Sequence, residues 1–284
     1  MRPDLHDANR WSWNEATKAH NRHKGDQAAF FRNGGSTLHP EERDLLGDIA
    51  GKTLVHLQCN AGQDTLSLAR LGAVATGVDI SDEAITFATR LSQDSGIPAT
   101  FIRSELFDWL DLAGRDGGPR FDVAFASYGA LCWLSDLRPW AGGIARILKP
   151  GGALVVMEFH PVMQMLEVDY SLRYPYSSPA PLSWDDGVGD YVALSHEGLT
   201  LDGSAAVEQP FVNPHPCHEW HHGIADVLTP VLEAGLVLER FREWPYSNGF
   251  KPFTDMRALP GRKWTVPEGM PAVPLMFGLR ARKP

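Results

Sequence analysis

Residues 53–81 read TLVHLQCNAGQDTLSLARLGAVATGVDIS, and this stretch decides the fold. It opens on an apolar run at 54–57, which is typical of a buried parallel strand. A turn follows, and after it apolar residues recur at spacings that place them on one face of a helix. A second apolar run, 74–80, carries Asp79 near its end. The stretch therefore predicts the strand, turn, helix, strand unit of a doubly wound α/β sheet.

The turn and the acid are suited to a nucleoside. Gly62 lets the backbone approach a ligand, and Asp79, 17 residues further on, can accept hydrogen bonds from ribose hydroxyls. A dinucleotide site needs three glycines, so that a pyrophosphate can lie at a helix N-terminus. Gly62 is the only glycine in this turn, and Asn60 and Ala61 replace the other small, flexible positions. The sequence therefore favours a nucleoside that carries no phosphate.

The turn resembles motif I of class I S-adenosylmethionine-dependent methyltransferases, an apolar strand followed by Gly-x-Gly-x-Gly. The pattern His-Leu-Gln-Cys-x-x-Gly-x-Asp at 56–64 is similar to one branch of bacterial small-molecule methyltransferases. Leu-Lys-Pro-Gly-Gly at 148–152, before another apolar strand, is a second resemblance. The likeness covers about residues 30–160. It implies a Rossmann-like, doubly wound, seven-stranded and mostly parallel sheet, with S-adenosyl-L-methionine as cofactor.

The resemblance places the cofactor contacts at the carboxyl ends of the strands. Glu105 stands where the family usually carries an aspartate that hydrogen-bonds the adenine amino group; a solvated loop carboxylate is the alternative. Ser127 follows the fourth strand, in a segment that lies between cofactor and substrate in the family. The expected cofactor-binding residues are His56, Gln58, Cys59, Asn60, Gly62, Asp79, Ile80, Ser81, Glu105, Leu106 and Ser127.

The chain divides into four regions. Polar and aromatic residues 1–50 form either a helical cap on the core or a lid over the cofactor, with a helix expected at 39–49. Residues 51–160 form the cofactor-binding core. Residues 161–220 form an aromatic-rich insertion after strand 5, and residues 221–284 complete the core sheet.

The insertion stands where a substrate pocket belongs, beside the carboxyl ends of parallel strands. We interpret it as a substrate cap; a dimer-forming arm is the alternative, so a homodimer stays open. A strand pair is expected in it at 190–194 and 199–206. After it, a helix is expected at 224–234 and strands at 237–244 and 274–282.

A general base is needed when the acceptor must lose a proton, as an alcohol or a phenol does. His160 directly follows the fifth strand and is the first base candidate; a histidine bonded to backbone at a strand end is the alternative. His20, on the N-terminal segment, is a weaker candidate. Tyr128 is a third catalytic candidate. Together with Trp133 and His160 it is expected to line the acceptor pocket, and ordinary core packing is the alternative for the two aromatics.

Residues 215–222, HPCHEWHH, contain legitimate metal ligands. The crowding does not match the spacing of a structural zinc site. Pro214 and Pro216 also break the helix that would align His218 with His222. The sequence therefore predicts no metal, although this run can still face the acceptor pocket.

The composition of the chain limits which binding partners and which cellular compartment are expected. The net charge of −9 disfavours nucleic acid, because an acidic chain repels phosphate backbones. The N-terminus has no apolar core of a signal peptide, and no stretch reaches the length of a membrane span. The three cysteines are widely spaced and odd in number, which indicates reduced thiols in a cytoplasmic protein.

We therefore expect an enzyme that transfers a methyl group from S-adenosyl-L-methionine to an oxygen or nitrogen of a small molecule. The aromatic insertion favours an aromatic or polycyclic acceptor, such as a secondary metabolite. One alternative is an NAD-dependent oxidoreductase, which shares the fold and the ribose acid but needs the missing glycines. The other is a sensor that binds the cofactor without turning over an acceptor.

Overall fold

A computed structural model describes residues 1–194 and 211–284 of the chain. Its strands are β1 Thr53–Leu57, β2 Val74–Asp79, β3 Thr100–Arg103, β4 Phe121–Ser127, β5 Leu148–Phe159, β6 Leu182–Trp184, β7 Cys217–Glu219, β8 Val237–Trp244, β9 Ser247–Asn248, β10 Arg257–Leu259, β11 Lys263–Thr265 and β12 Met276–Arg282. Its helices are α1 Pro3–Arg22, α2 Gln27–Arg32, α3 Pro40–Leu46, α4 Gln63–Arg70, α5 Asp82–Ser95, α6 Leu106–Ala113, α7 Leu137–Ile147, α8 Pro161–Gln164, α9 Tyr191–Leu194 and α10 Ile224–Glu233.

The central sheet has seven strands in the order β3-β2-β1-β4-β5-β12-β8. Strands β1 to β5 pair in parallel, and β12 lies antiparallel between β5 and β8. This arrangement confirms the expected doubly wound, mostly parallel sheet. The strand order reverses between β1 and β4, so the carboxyl ends of these two strands flank the crevice where such folds bind ligands.

Side chains on β4 show how the sheet is buried on both faces. Val123 and Phe125 pack among the apolar residues of α3, and Ala124 and Ala126 pack among those of α6 and α7. Because both faces are covered, the strand is a near-continuous apolar run rather than an alternating one.

The structure corrects the expectations for the insertion and for α3. Residues 190–194 are not a strand, because the Asp190 carboxylate accepts a hydrogen bond from Ala193 N at 3.3 Å and so caps α9. The second expected strand, 199–206, lies outside the described residues. In the insertion, β6 instead pairs with β7 in antiparallel register. Helix α3 ends at Leu46 rather than residue 49, with Gly47 as its C-cap at φ +65°.

The small antiparallel sheet β10-β11-β9 follows β8 and was not expected from the sequence. Its strands are two or three residues long, too short for an alternating pattern to be visible. Across the residues that the structure describes, no helix combines the length and apolar character needed to cross a membrane.

Candidate functional site

The turn after β1 and the acid at the end of β2 form one unit, here called the cofactor seat (residues 58–62 with Asp79). The backbone of Gln58, Asn60 and Gly62 is left-handed, with φ values of +54°, +47° and +81°. At Gly62 a Cβ would lie 2.7 Å from Ala88 Cβ, so only glycine fits there. The tight turn therefore brings backbone to the edge of the sheet.

Asp79 is tied to this turn by backbone hydrogen bonds. Its Oδ2 accepts from Asn60 N at 2.8 Å, and its Oδ1 accepts from Ser81 N at 2.8 Å. Burial raises the pKa of the Asp79 carboxyl to about 6, although both N–H groups favour its charged form. Each carboxylate oxygen has more than one lone pair, so both can still accept from ribose hydroxyls.

Gln58 provides a direct test of whether S-adenosyl-L-methionine fits the seat. Its side-chain Nε2 donates to Ala130 O at 2.8 Å, while its buried Oε1 has no hydrogen-bond partner among the residues that the structure describes. A buried acceptor without a partner is costly. The α-ammonium group of S-adenosyl-L-methionine is a donor that would satisfy it. The residue that replaces the first motif glycine is therefore compatible with this cofactor.

Two expected contact residues lie inside the unit and support the turn. His56 is buried, with Nδ1 2.9 Å from Thr65 Oγ1 and Nε2 3.2 Å from Ser127 Oγ. Burial lowers its pKa to about 4, so the ring is neutral at pH 7. Cys59 is buried and its thiol pKa is raised by burial. The structure thus links β1, α4 and β4 beneath the seat.

The remaining expected contacts adjoin helix N-termini. Glu105 caps α6 by accepting from Asp108 N at 2.9 Å, and its other oxygen lies 3.0 Å from His6 Nδ1. Ser81 caps α5 and donates to Asn14 Oδ1 at 2.7 Å. Both side chains join the core to α1. Leu106, the first residue of α6, is buried, and Ile80 is half-buried.

Helix α1 reaches the core through polar contacts with the first turn of α5, the helix that follows β2. Arg10 Nε donates to Asp82 Oδ2 at 2.7 Å, and Asn14 Oδ1 accepts from Glu83 N at 3.3 Å. At its other end, His20 Nε2 lies 2.9 Å from Gly189 O in the insertion. The helix therefore bridges the edge beside the cofactor seat and the insertion.

The loop after β4 is fixed by Glu158, a residue that the sequence analysis did not single out. Its buried carboxylate accepts from the backbone N–H groups of Gly129, Ala130 and Leu131, at 2.5, 2.8 and 3.0 Å. It also accepts from Phe159 N at 2.7 Å. In the sequence, the signal that could have identified Glu158 was a single carboxylate within the apolar run of β5. Glu158 thereby positions the segment that follows Tyr128.

His160 caps α8, and both of its ring nitrogens are engaged. Nδ1 accepts from Val162 N at 3.1 Å, which places the proton on Nε2, 2.8 Å from Glu243 Oε1. The ring is buried, and burial lowers its pKa despite Glu243. This arrangement favours the strand-end role that the sequence left as the alternative. His20, with its pKa lowered to about 4 by burial, is likewise hydrogen-bonded to backbone.

Aromatic rings from four parts of the chain contact one another and form a group that is here called the aromatic wall. Trp133 and Trp13 lie 5.3 Å apart between centroids, His20 and Tyr191 lie 4.3 Å apart, and Tyr128 and Phe159 lie 5.6 Å apart. Trp13 lies 6.1 Å from His20, and Phe250 lies 5.7 Å from Tyr191 and 5.1 Å from Phe159, so the three pairs are linked. The wall consists of Trp133, Trp13, His20, Tyr191, Phe250, Phe159 and Tyr128. It brings the expected pocket residues Tyr128 and Trp133 onto one surface.

Histidines of the 215–222 run fasten the insertion. His218 Nδ1 lies 2.8 Å from Ser183 Oγ, His221 Nδ1 lies 2.8 Å from Pro175 O, and His222 Nε2 lies 2.8 Å from Leu134 O. Among the residues with described placement, no three His, Cys, Asp or Glu side chains are grouped so that they could hold a metal.

Residues 55–156 match the family described as "Methyltransferase domain". The chain is 29% identical over 158 residues to the demethylmenaquinone methyltransferase of Tropheryma whipplei (strain Twist), covering 54% of this chain and 62% of that protein. It is 29% identical over 144 residues to the ubiquinone biosynthesis O-methyltransferase of Methylobacterium sp. (strain 4-46), covering 49% and 55%. The chain thus spans less than two thirds of these curated relatives.

Solved structures share the fold over most of the chain. The CcbJ methyltransferase of Streptomyces caelestis has a TM-score of 0.59 at 15% identity, covering 97% of this chain and 98% of that one. An S-adenosylmethionine-dependent methyltransferase of Mesorhizobium loti has a TM-score of 0.55 at 19% identity, covering 88% and 99%. At these identities the likeness concerns the fold.

Proposed function

We propose, from the premise that this chain carries a class I S-adenosylmethionine-dependent methyltransferase domain, that it methylates an oxygen or nitrogen of a small, planar acceptor. The observation that carries the proposal is the cofactor seat. In it, a left-handed turn places Asp79 and the unpartnered Gln58 Oε1 at the switch point of the sheet.

The cofactor seat can bind S-adenosyl-L-methionine through two parts of that molecule, its ribose and its ammonium group. Asp79 would accept from the ribose hydroxyls, and Gln58 Oε1 would accept from the ammonium group. When bound, this cofactor supplies a sulfonium methyl group as the electrophile. The chain's own contribution is then to align the acceptor and to exclude water. Helix α1 and the loop fixed by Glu158 adjoin the seat and are suited to that task.

A planar acceptor is supported by the aromatic wall. Flat rings stack on aromatic side chains with centroid distances similar to those within the wall. Two relatives act, by their names, in demethylmenaquinone methylation and in ubiquinone biosynthesis. Those names concern other proteins, but they agree with a ring-shaped small molecule as the substrate class here.

Calorimetry with S-adenosylhomocysteine tests the cofactor seat. Asp79→Ala removes the ribose acceptor and should weaken binding by about tenfold or more, the worth of hydrogen bonds to a charged group. Asp111→Ala is the matched control, because Asp111 is exposed on α6 and pairs with Arg115. Equal affinity of wild type and Asp79→Ala would overturn the assignment of the seat.

A further inference from the structure

A buried polar cluster surrounds the hydroxyl group of Tyr128 and is here called the Glu42 cluster (Glu42, Tyr128 and Asn248). Asn248 Nδ2 donates to the Tyr128 hydroxyl at 2.8 Å. The Tyr128 hydroxyl also interacts with the Glu42 carboxylate, and this interaction lowers the Glu42 pKa against the larger effect of burial. Glu42 and Asn248 are only 1% and 4% exposed. The tyrosine thus joins helix α3 to strand β9.

Within the described part of the chain, two polar atoms of this cluster have no hydrogen-bond partner. Glu42 Oε2 accepts from His39 N at 2.7 Å, but Glu42 Oε1 forms no hydrogen bond of normal length and angle with a described residue. Asn248 Oδ1 is likewise buried and unpartnered. Leaving one such atom unsatisfied costs about 1–3 kcal/mol, so two beside one hydroxyl indicate a missing polar group.

The carboxylates around the cluster already have hydrogen-bond donors of their own. Glu41 forms an ion pair with Lys263, accepts from Tyr246 OH at 2.8 Å, and accepts from Asn248 Nδ2 at 3.3 Å. Asp64 accepts from the Thr37 and Ser127 hydroxyls at 2.5 and 3.2 Å. The missing group therefore need not be an ion.

Tyr128 connects the cluster to the proposed acceptor site. It is the first residue after β4, and its backbone is left-handed at φ +38°, an uncommon conformation for a bulky residue. Its ring is the end of the aromatic wall, 5.6 Å from Phe159. An acceptor that lies against the Tyr128 ring would have the Glu42 cluster at the hydroxyl end of that ring.

We propose that Glu42 and Asn248 form the polar end of the acceptor site and bind a hydroxyl group on an aromatic acceptor. A hydroxyl can donate to Asn248 Oδ1 and can donate to or accept from Glu42 Oε1, so it satisfies either protonation state of Glu42. Both residues determine specificity, because an acceptor without this hydroxyl leaves them unpaired. The inference rests on the proposed function and adds the substrate class.

The test compares 2-naphthol with 2-methylnaphthalene, two rings of similar size of which only the first carries a hydroxyl. Affinities are measured by ligand-observed NMR titration on protein saturated with S-adenosylhomocysteine. In wild type, 2-naphthol should bind about tenfold more tightly. In Glu42→Ala and in Asn248→Ala this ratio should fall at least threefold, whereas the control Glu268→Ala, at an exposed residue, should keep it.

Crystals of the wild-type complex with 2-naphthol keep the test independent of variant folding. The hydroxyl should lie within hydrogen-bond distance of Glu42 Oε1 or Asn248 Oδ1. No binding of 2-naphthol, an unchanged ratio in both variants, or a water alone on these atoms would overturn the inference. Failure of wild type to bind S-adenosylhomocysteine would instead count against the proposed function, because the Glu42 cluster does not form the cofactor seat.

Discussion

Asp79 gives the cofactor seat a dependence on pH. Its folded-state pKa of about 6 lies above the ordinary value, because burial disfavours the charged form. In the protein without ligand, ionised Asp79 therefore lowers the free energy of unfolding above pH 6. This destabilisation disappears as the pH falls towards 4, because the carboxyl becomes protonated. Binding acts in the opposite direction, because ribose hydroxyls donate to the ionised carboxylate.

We expect the affinity for S-adenosylhomocysteine to fall by about tenfold between pH 7.5 and pH 5, since only about a tenth of Asp79 stays ionised one unit below its pKa. Calorimetry at a series of pH values measures this. Asp79→Ala should bind weakly with little dependence on pH over the same range. A flat profile in wild type would show that the ribose acceptor lies elsewhere.

Glu158 should be essential to the loop after β4. In Glu158→Gln an amide NH₂ faces backbone N–H groups that now meet a carboxylate oxygen. We expect a loss of about 1–3 kcal/mol in the free energy of unfolding, measured by urea denaturation. The exposed Glu268→Gln should stay within about 0.5 kcal/mol of wild type. A similar small change in Glu158→Gln would show that the loop is held by other contacts.

Sequence reasoning reached residues whose type alone indicates a role. Asp79 and Gly62 were predictable, because a ribose acid and a turn glycine follow from local chain geometry. Glu42 and Asn248 were not, because their pairing through Tyr128 joins positions 206 residues apart. His160 has the chemistry of a base, but its capping contact and its pairing with Glu243 depend on tertiary structure.

At the scale of elements, α1 is attached to the core mostly through polar groups. Asn14 accepts from Ser81 Oγ and Glu83 N and donates to Asp82, so one side chain joins α1 to the start of α5. Such contacts are weaker than an apolar interface. The lid interpretation of residues 1–50 stays a prediction, and it can be measured directly.

Asn14→Ala should increase amide hydrogen exchange across residues 3–22 by about fivefold, because it removes hydrogen bonds worth about 1 kcal/mol. Exchange in β4 and β5 should not change. Glu15→Gln is the control, since Glu15 pairs with Lys18 on the same helix. Adding S-adenosylhomocysteine should slow exchange in α1 if the helix covers the seat. Equal exchange rates for residues 3–22 in Asn14→Ala and in wild type would favour the cap interpretation.

Strong apolar runs made β1 to β5 predictable, because strands buried on both faces carry their own signal. The α9 and β9–β11 elements were beyond sequence reasoning. A four-residue helix capped by Asp190 and strands of two or three residues depend on contacts with other parts of the chain.

At the scale of the whole molecule, ligand-linked stability separates the rival functions. S-adenosylhomocysteine at about 100 times its Kd should stabilise the fold by about 2.7 kcal/mol. For a chain of this size that corresponds to a rise in Tm of about 5–10 °C. NAD at the same concentration should leave Tm unchanged, because the turn lacks the glycines of a pyrophosphate site. Stabilisation by NAD alone would favour the oxidoreductase. A sensor would pass this test but would never show a methylated product by mass spectrometry.

The position of β12 has a consequence for synthesis. Among the described strands, β8 pairs only with β12 in the central sheet, and β12 lies beside β5. During synthesis on the ribosome, β1 to β5 can therefore pair before β12 has been made, whereas β8 cannot join the sheet. Until then the unpaired edge of β5 is exposed to other nascent chains. In a chain that a stop codon ends before residue 276, the edge of β5 would stay unpaired. We expect chaperones to bind this product or proteases to degrade it.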